Sequence, residues 1–287
     1  GLIGLGVMGT KAAEKILQGG HSLAVFDIGP GTAERARALG ARAVGSAREA
    51  ASLADVVLMF LPGPEQVQSC VTGPAGLLDG ARAGTIVADM STVDPGTSAR
   101  MAEAAAANGV GYLDAPVLGR PGSVGNWALP VGGDAGSLER CRCVLDLLAA
   151  RIFHIGPPGA GNRVKLLNQM MFGAINAATA EMMALSAKMG IPPKVLFETI
   201  ASSNAATVSN LFKKLGRRIA EEEYGDPTFT VDLLSKDVRL AVRMAGENGS
   251  PAVFIRAVET MNELAQARGL GRADTASMWK IYEGIWG

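Results

Sequence analysis

The stretch Gly4-Leu5-Gly6-Val7-Met8-Gly9 decides the fold. It ends the strand-like run Gly1–Leu5 and opens a run of helical periodicity, Met8–Gln18. In a G-x-G-x-x-G loop so placed, Gly4 permits the tight turn and Gly6 lets a pyrophosphate approach the backbone. Gly9 lets the helix pack close to the strand, and the helix N-terminus, with Val7 and Met8 beside it, faces the phosphates. The next strand-like run, Ser22–Asp27, ends in an acid about 20 residues further on, where a ribose contact is expected. Asp27 can accept hydrogen bonds from a ribose 2′-hydroxyl and would repel a 2′-phosphate. The residues after it, Ile28-Gly29-Pro30, supply no arginine. NAD is therefore expected over NADP.

Outward from this loop, short β-branched runs alternate with helical ones. Strands are expected at Val56–Leu61, Thr85–Asp89, Gly111–Asp114 and Trp127–Gly132, and helices at Thr32–Leu39, Glu65–Val71, Thr97–Ala107 and Ala135–Leu148. Such alternation predicts right-handed βαβ units on a largely parallel sheet. In open sheets of this kind ligands sit at the carboxyl ends of strands, where Phe60-Leu61-Pro62 and Asp89-Met90-Ser91-Thr92 fall.

The pattern changes at the turn-rich stretch Gly156-Pro157-Pro158-Gly159-Ala160-Gly161. From Asn162 to Met189 there is no proline and one glycine, Gly173, and apolar residues recur at helical spacing. At 1.5 Å per residue this helix would run roughly 40 Å. Gly190 and Pro192 stop it. Beyond lie helical runs at Lys194–Ser202, Thr207–Glu222, Val231–Asn248, Ala252–Arg268 and Thr275–Ile285. The expected architecture is an α/β Rossmann domain over 1–157 and an all-α domain over 158–287, joined by one long helix.

Composition narrows the function. Lys plus Arg and Asp plus Glu both number 27, which gives no electrostatic footprint for nucleic acid or an anionic membrane. No apolar run approaches the roughly 20 residues of a membrane span. Cys70, Cys141 and Cys143 have no framework spacing, which fits reduced thiols in the cytoplasm. The two histidines, His21 and His154, are isolated, so a His-based zinc site or Ser–His triad is not expected. Acid–base chemistry falls to Lys, Asp, Glu or Tyr. The chain opens at Gly1 already inside a strand-like run, as a chain trimmed at its N-terminus would.

Segments in order then carry a family resemblance: Gly1–Gly9 (GLIGLGVMG), Met59–Pro62 (MFLP), Asp89–Pro95 (DMSTVDP), Asp114–Gly119 (DAPVLG), Gly159–Gln169 (GAGNRVKLLNQ) and Leu233–Asp237 (LLSKD). Together they resemble the β-hydroxyacid dehydrogenase family, whose branches include the 3-hydroxyisobutyrate dehydrogenases and tartronate semialdehyde reductases. The resemblance implies an NAD-dependent oxidoreductase acting on a small 3-hydroxy acid or semialdehyde, assembled as a homodimer or homotetramer. It implies that Lys165 is the catalytic lysine and that Asn168 and Gln169 are substrate-binding amides. It also implies that Leu61, Pro62 and Thr92 line the cofactor path, and that Lys236 reaches the cofactor. Helical spacing agrees, since Asn168 and Gln169 share a helix face with Lys165. Hydride transfer to a carbonyl leaves an alkoxide, and an ammonium can donate the proton it needs.

One segment departs from the family. After Asp114-Ala-Pro-Val117 the family usually reads Ser-Gly-Gly, which holds the substrate carboxylate; this chain reads Leu118-Gly119-Arg120-Pro121. The hydroxyl is gone, Gly119 keeps its backbone N–H, and Arg120 can supply a bidentate anion contact. A Gly-Arg pair here is similar to the sulfolactaldehyde reductase branch and points to a more anionic substrate, a sulfonate or a dicarboxylic semialdehyde. Other readings are oxidative decarboxylation of the 6-phosphogluconate type, imine reduction, and a non-catalytic dinucleotide sensor. The helical part is too short for the first, and Lys165 with no NADP-type arginine speaks against the second. Lys165, Asn168, Thr92 and Lys236 together speak against the third.

Overall fold

The computed structural model describes residues 1–203 and 205–282. The chain forms two compact units, Gly1–Lys165 and Leu166–Gly287.

In the first unit the elements run β1 (Leu2–Ile3), α1 (Val7–Gln18), β2 (Ala24–Phe26), α2 (Thr32–Leu39), β3 (Arg42–Ala43), α3 (Ala47–Ser52), β4 (Val56–Met59) and α4 (Pro64–Thr72). Then follow β5 (Ile86–Asp89), α5 (Pro95–Ala106), β6 (Gly111–Asp114), β7 (Trp127–Gly133), α6 (Ala135–Leu148) and β8 (Ala149–Gly156). One sheet has the order β3-β2-β1-β4-β5-β6-β7-β8. β1 to β6 pair in parallel, and β7 meets β6 antiparallel. The order reverses beside β1, so the crevice expected of such sheets opens between the loops after β1 and β4.

Side chains alternate across the strands and bury on two faces. Leu2, Leu58, Ile86 and Leu113 pack with Ala12, Ile16 and Leu145, from α1 and α6. Ile3, Val57, Met59, Val87 and Tyr112 pack with Ala50, Val67 and Met101, from α3, α4 and α5. This is the helix–sheet–helix layering of a doubly wound fold. Helix starts are set locally: Ser46, Asp94 and Asp134 accept from the N–H three residues on, and Pro64 and Pro95 open their helices. α1 is different. It starts at Gly6 with no side-chain cap and no acid in its first turn.

Three elements lie outside the sequence expectation: β3, α3 and β8. The first two are two and six residues long, too short for a period to show. β8 is a sheet edge with Phe153 and Ile155 exposed, so it lacks the apolar run of a buried strand.

The long helix, α7, spans Ala160–Lys188. The two compact units divide inside it, between Lys165 and Leu166. Its first turn is bound into the first unit. The Asp114 carboxylate accepts from Gly159 N–H at 2.7 Å and Asn162 N–H at 2.8 Å, and the Asn162 side chain accepts from Val93 N–H.

The second unit continues with α8 (Pro193–Ala201), α9 (Asn210–Ala220), α10 (Val231–Glu247) and α11 (Val253–Ala267). Thr275–Tyr282 coils as a 3-10 helix; the rest of the helix expected to Ile285 lies outside the described residues. Gly173 explains itself here, because a Cβ would press on Val258 of α11 at 2.9 Å and Val238 of α10 at 3.2 Å. A buried ion pair, Arg218–Asp274 at 3.0 Å, gathers the segment leading into α10. Arg218 donates to the carbonyls of Glu223 and Asp226, and Asp274 accepts from Thr228. Among the described residues no helix is long and apolar enough to cross a membrane.

Candidate active site

The three glycines of the first loop differ in what surrounds them. At Gly4, where φ is +95°, a Cβ would strike the Phe60 carbonyl; at Gly9 it would strike the Gly4 carbonyl. At Gly6 a Cβ would meet nothing within 4 Å. Gly4 and Gly9 therefore hold the chain close, while Gly6 leaves open space at the start of α1, where uncapped N–H groups favour an anion. Val7 is 64% exposed beside that space, and Met8 is half-buried. These residues fit a dinucleotide pyrophosphate.

Asp27, at the end of β2, accepts from Leu5 N–H at 2.5 Å and Gly29 N–H at 2.6 Å. It ties the glycine loop to β2 and stays half-exposed. A carboxylate has about four lone-pair sites, so it can still accept from a ribose hydroxyl. The loops after β4 and β5 are joined by Leu61 N–H donating to Ser91 Oγ at 2.9 Å. Pro62 is exposed next to Leu61, and Thr92 is half-buried next to Ser91. Thus Gly4–Gly9, Asp27, Leu61–Pro62 and Thr92 all follow strand ends at one edge of the sheet.

The loop after β6 meets the first turns of α7. Lys165 Nζ donates to the Val117 carbonyl at 2.9 Å, which holds the ammonium against the segment that departs from the family pattern. Leu118 pairs with Ala128 through both its N–H and its carbonyl, so its backbone is engaged within the protein. Gly119 is exposed, and a Cβ there would strike the buried Trp127 ring. The Arg120 carbonyl accepts from Trp127 Nε1 at 2.7 Å, Ser123 Oγ at 3.0 Å and Ser123 N–H at 3.0 Å. The root of the Arg120 side chain is therefore fixed.

Under this segment lie two carboxylates. Asp89 and Asp114 are paired in register on β5 and β6, both fully buried. Asp89 accepts from Tyr112 Oη at 2.7 Å. Burial raises the Asp114 pKa to about 6, against the lowering effect of its two N–H donors. Burial likewise holds the Tyr112 hydroxyl well above its usual range.

In the second unit, Asn168 is exposed on α7 and Gln169 is 3% exposed. Gln169 is expected as a substrate-binding amide, yet its Nε2 donates to Asp237 Oδ2 at 2.6 Å and its Oε1 accepts from Asn168 at 3.2 Å. Lys236, on α10, pairs with Asp237 Oδ1 at 2.8 Å. Phe229 meets Phe172 edge to face in the helical core.

Comparison with known proteins decides the family. Residues 1–156 match the model for the NAD binding domain of 6-phosphogluconate dehydrogenase. Residues 159–282 match that for the NAD-binding domain of NADP-dependent 3-hydroxyisobutyrate dehydrogenase. The chain belongs to the β-hydroxyacid dehydrogenase family. A 3-hydroxyisobutyrate dehydrogenase of Pseudomonas aeruginosa is 35% identical over 98% of this chain and 97% of its own. A 2-(hydroxymethyl)glutarate dehydrogenase of Eubacterium barkeri is 32% identical over 100% of this chain and 95% of its own. A solved 3-hydroxyisobutyrate dehydrogenase from Salmonella typhimurium is 30% identical, covers 98% of each chain and superposes with a TM-score of 0.90. This member is accordingly an NAD(P)-dependent oxidoreductase of the 3-hydroxyacid type.

Sequence reasoning assigned no role to Asp114, Asn162, Trp127 or Asp237. Asp114, Asn162 and Asp237 stand inside the family segments, and that position is the one mark the sequence gives them. Trp127 is a core residue, and nothing in the sequence announces its bond to the Arg120 carbonyl.

Proposed function

We propose that this dehydrogenase interconverts a small 3-hydroxy acid and its semialdehyde, with NAD as the dinucleotide and Lys165 as general acid and base. The observation that carries this is the Lys165–Val117 hydrogen bond, which keeps an ammonium at the carboxyl end of β6. Bound nicotinamide supplies the hydride in reduction and accepts it in oxidation. When the carbonyl is reduced, Lys165 donates a proton to the substrate oxygen; when the alcohol is oxidised, the amine takes the hydroxyl proton. Asn168, exposed one helical turn on, orients the substrate. Gly4, Gly6, Gly9, Leu61, Pro62, Thr92 and Lys236 hold the cofactor, and the Asp27 carboxylate favours NAD by accepting from the ribose and repelling a 2′-phosphate.

Lys165→Ala is expected to lower turnover by ~10²–10⁴ with NADH affinity, read by fluorescence titration, unchanged. Near wild-type turnover in that variant would remove Lys165 from the chemistry.

A second reading concerns the acid. Arg120 stands where the family carries a glycine, two residues after the missing serine, and its backbone is fixed by Trp127 and Ser123. A guanidinium held so favours a substrate with a second anionic group, as in 2-(hydroxymethyl)glutarate, the dicarboxylate named for the Eubacterium barkeri relative. The chain also pairs with itself in this reading, as a cytoplasmic homodimer or homotetramer. Leu167, Met171, Ala178 and Leu185 lie within about 40° of one another around α7 at 100° per residue. All four are exposed, which makes an apolar stripe that a second copy would cover. Sedimentation velocity would read a monomer if it does not.

A further inference from the structure

We propose that Gln169 and Asp237 are positioning residues, which together fix the direction in which the Asn168 amide faces the substrate. The proposal rests on the reading of Asn168 as a substrate contact.

Neither residue offers surface to a ligand: Gln169 is 3% exposed and Asp237 is 2% exposed. An ionised carboxylate only accepts hydrogen bonds, so the Gln169 end that meets Asp237 Oδ2 at 2.6 Å has to be its NH₂. The amide cannot flip without setting its carbonyl against the carboxylate. Its Oε1 therefore faces away, toward Asn168, whose Nδ2 donates to it at 3.2 Å. With Nδ2 so engaged, Asn168 Oδ1 remains as the acceptor of this exposed amide, suited to a substrate hydroxyl.

The other end of the chain is also defined. Asp237 Oδ1 pairs with Lys236 Nζ at 2.8 Å, so the carboxylate is held from its other oxygen as well. The order is ammonium, carboxylate, amide, amide, and each link has one polarity. It runs from α10, which carries the lysine assigned to the cofactor, to the exposed amide on α7. Bonds to a buried charged group are stronger than neutral ones, so the charge at one end sets the order at the other. Side-chain length matters too. An asparagine at 169 is one methylene shorter and cannot keep the bonds to both Asp237 and Asn168.

A double-mutant cycle tests this, with NAD-linked oxidation of 2-(hydroxymethyl)glutarate and 3-hydroxyisobutyrate as probe reactions. Gln169→Met should raise the substrate KM about tenfold while kcat moves less than about threefold. NADH affinity should not change. In an Asn168→Ala background the same substitution should add nothing, because no amide is left to orient. If Asn168→Ala raises KM and Gln169→Met adds its full effect on top, the positioning role is overturned. If Asn168→Ala leaves KM unchanged, the substrate contact itself falls. Independently of any turnover, the Asn168 side-chain amide signals of nitrogen-15-labelled protein should shift in Gln169→Met; unchanged signals overturn the proposal. Should Gln169→Met fail to fold, Gln169→Asn carries the same cycle and the same spectra.

Discussion

The glycine loop after β1 and the amide chain between α7 and α10 both place atoms for a ligand, by opposite means. In the loop the backbone is the instrument: Gly4 and Gly9 matter because they lack a side chain that would strike carbonyls. In the chain the side chains are the instrument, and Gln169 and Asp237 matter for the polarity of their ends. The first fails by crowding. The second fails by losing direction.

That contrast can be broken most sharply within the loop. Gly4→Ala puts a Cβ on the Phe60 carbonyl at a positive φ, and should destabilise the fold by about 2–4 kcal/mol. Gly6→Ala meets no protein atom, and should change stability by less than about 1 kcal/mol. Yet Gly6→Ala fills the open space and should weaken dinucleotide binding by about 100-fold or more. Thermal melts and NADH titration separate the two. A Gly6→Ala variant that binds NADH normally would mean that the open space is not the pyrophosphate seat.

The second comparison is between the Arg120 side chain and its own backbone. Arg120→Met keeps the carbonyl that Trp127 and Ser123 grip, and removes only the guanidinium. With 2-(hydroxymethyl)glutarate as substrate, KM should rise by about 10–100-fold, and much less with the monoanionic 3-hydroxyisobutyrate. Equal KM values in variant and wild type on both would show that Arg120 plays no part in anion recognition.

The least visible effect in activity concerns Asp114, the hidden side-chain cap of α7. Its folded pKa, about 6, stands above the ordinary value of 3.8 because burial disfavours the charge. Between these two pH values the folded chain holds a proton that the unfolded chain has released. The contribution of this group to stability therefore falls as pH rises from about 4 to about 6. Asp114→Asn should be less stable overall, since its NH₂ faces one N–H donor, and should lack this slope. Melting curves across that range should show the wild-type advantage shrinking by a few degrees; parallel curves would mean that Asp114 does not titrate there.

The same opposition explains what could be read from the sequence. The cradle was legible because its parts are local: Gly4, Gly6, Gly9 and Asp27 fall in one strand–helix–strand unit whose spacing follows from geometry. The long helix was legible through its period and its stops at Gly190 and Pro192. The short β3 and α3 carry too few residues for a period, and β8 is exposed at the sheet edge. In the site, Lys165 followed from its segment, but its contact with Val117 joins residues 48 apart in the chain. Gln169 and Asp237 lie 68 apart, and Asp114 and Asn162 lie 48 apart. Hydrogen bonds of that span leave no mark on local pattern, so nothing in the sequence announces the bond from Gln169 to Asp237.

Gly119 has a consequence for how this segment can diversify. The Trp127 ring occupies the volume that any side chain at 119 would need. In this segment the positions on either side, 118 and 120, carry side chains, and the one between them is locked. A library aimed at changing the acid accepted should vary Leu118 and Arg120 together and leave Gly119 untouched. Diversity at 119 would return misfolded variants unless Trp127 were reduced in the same step.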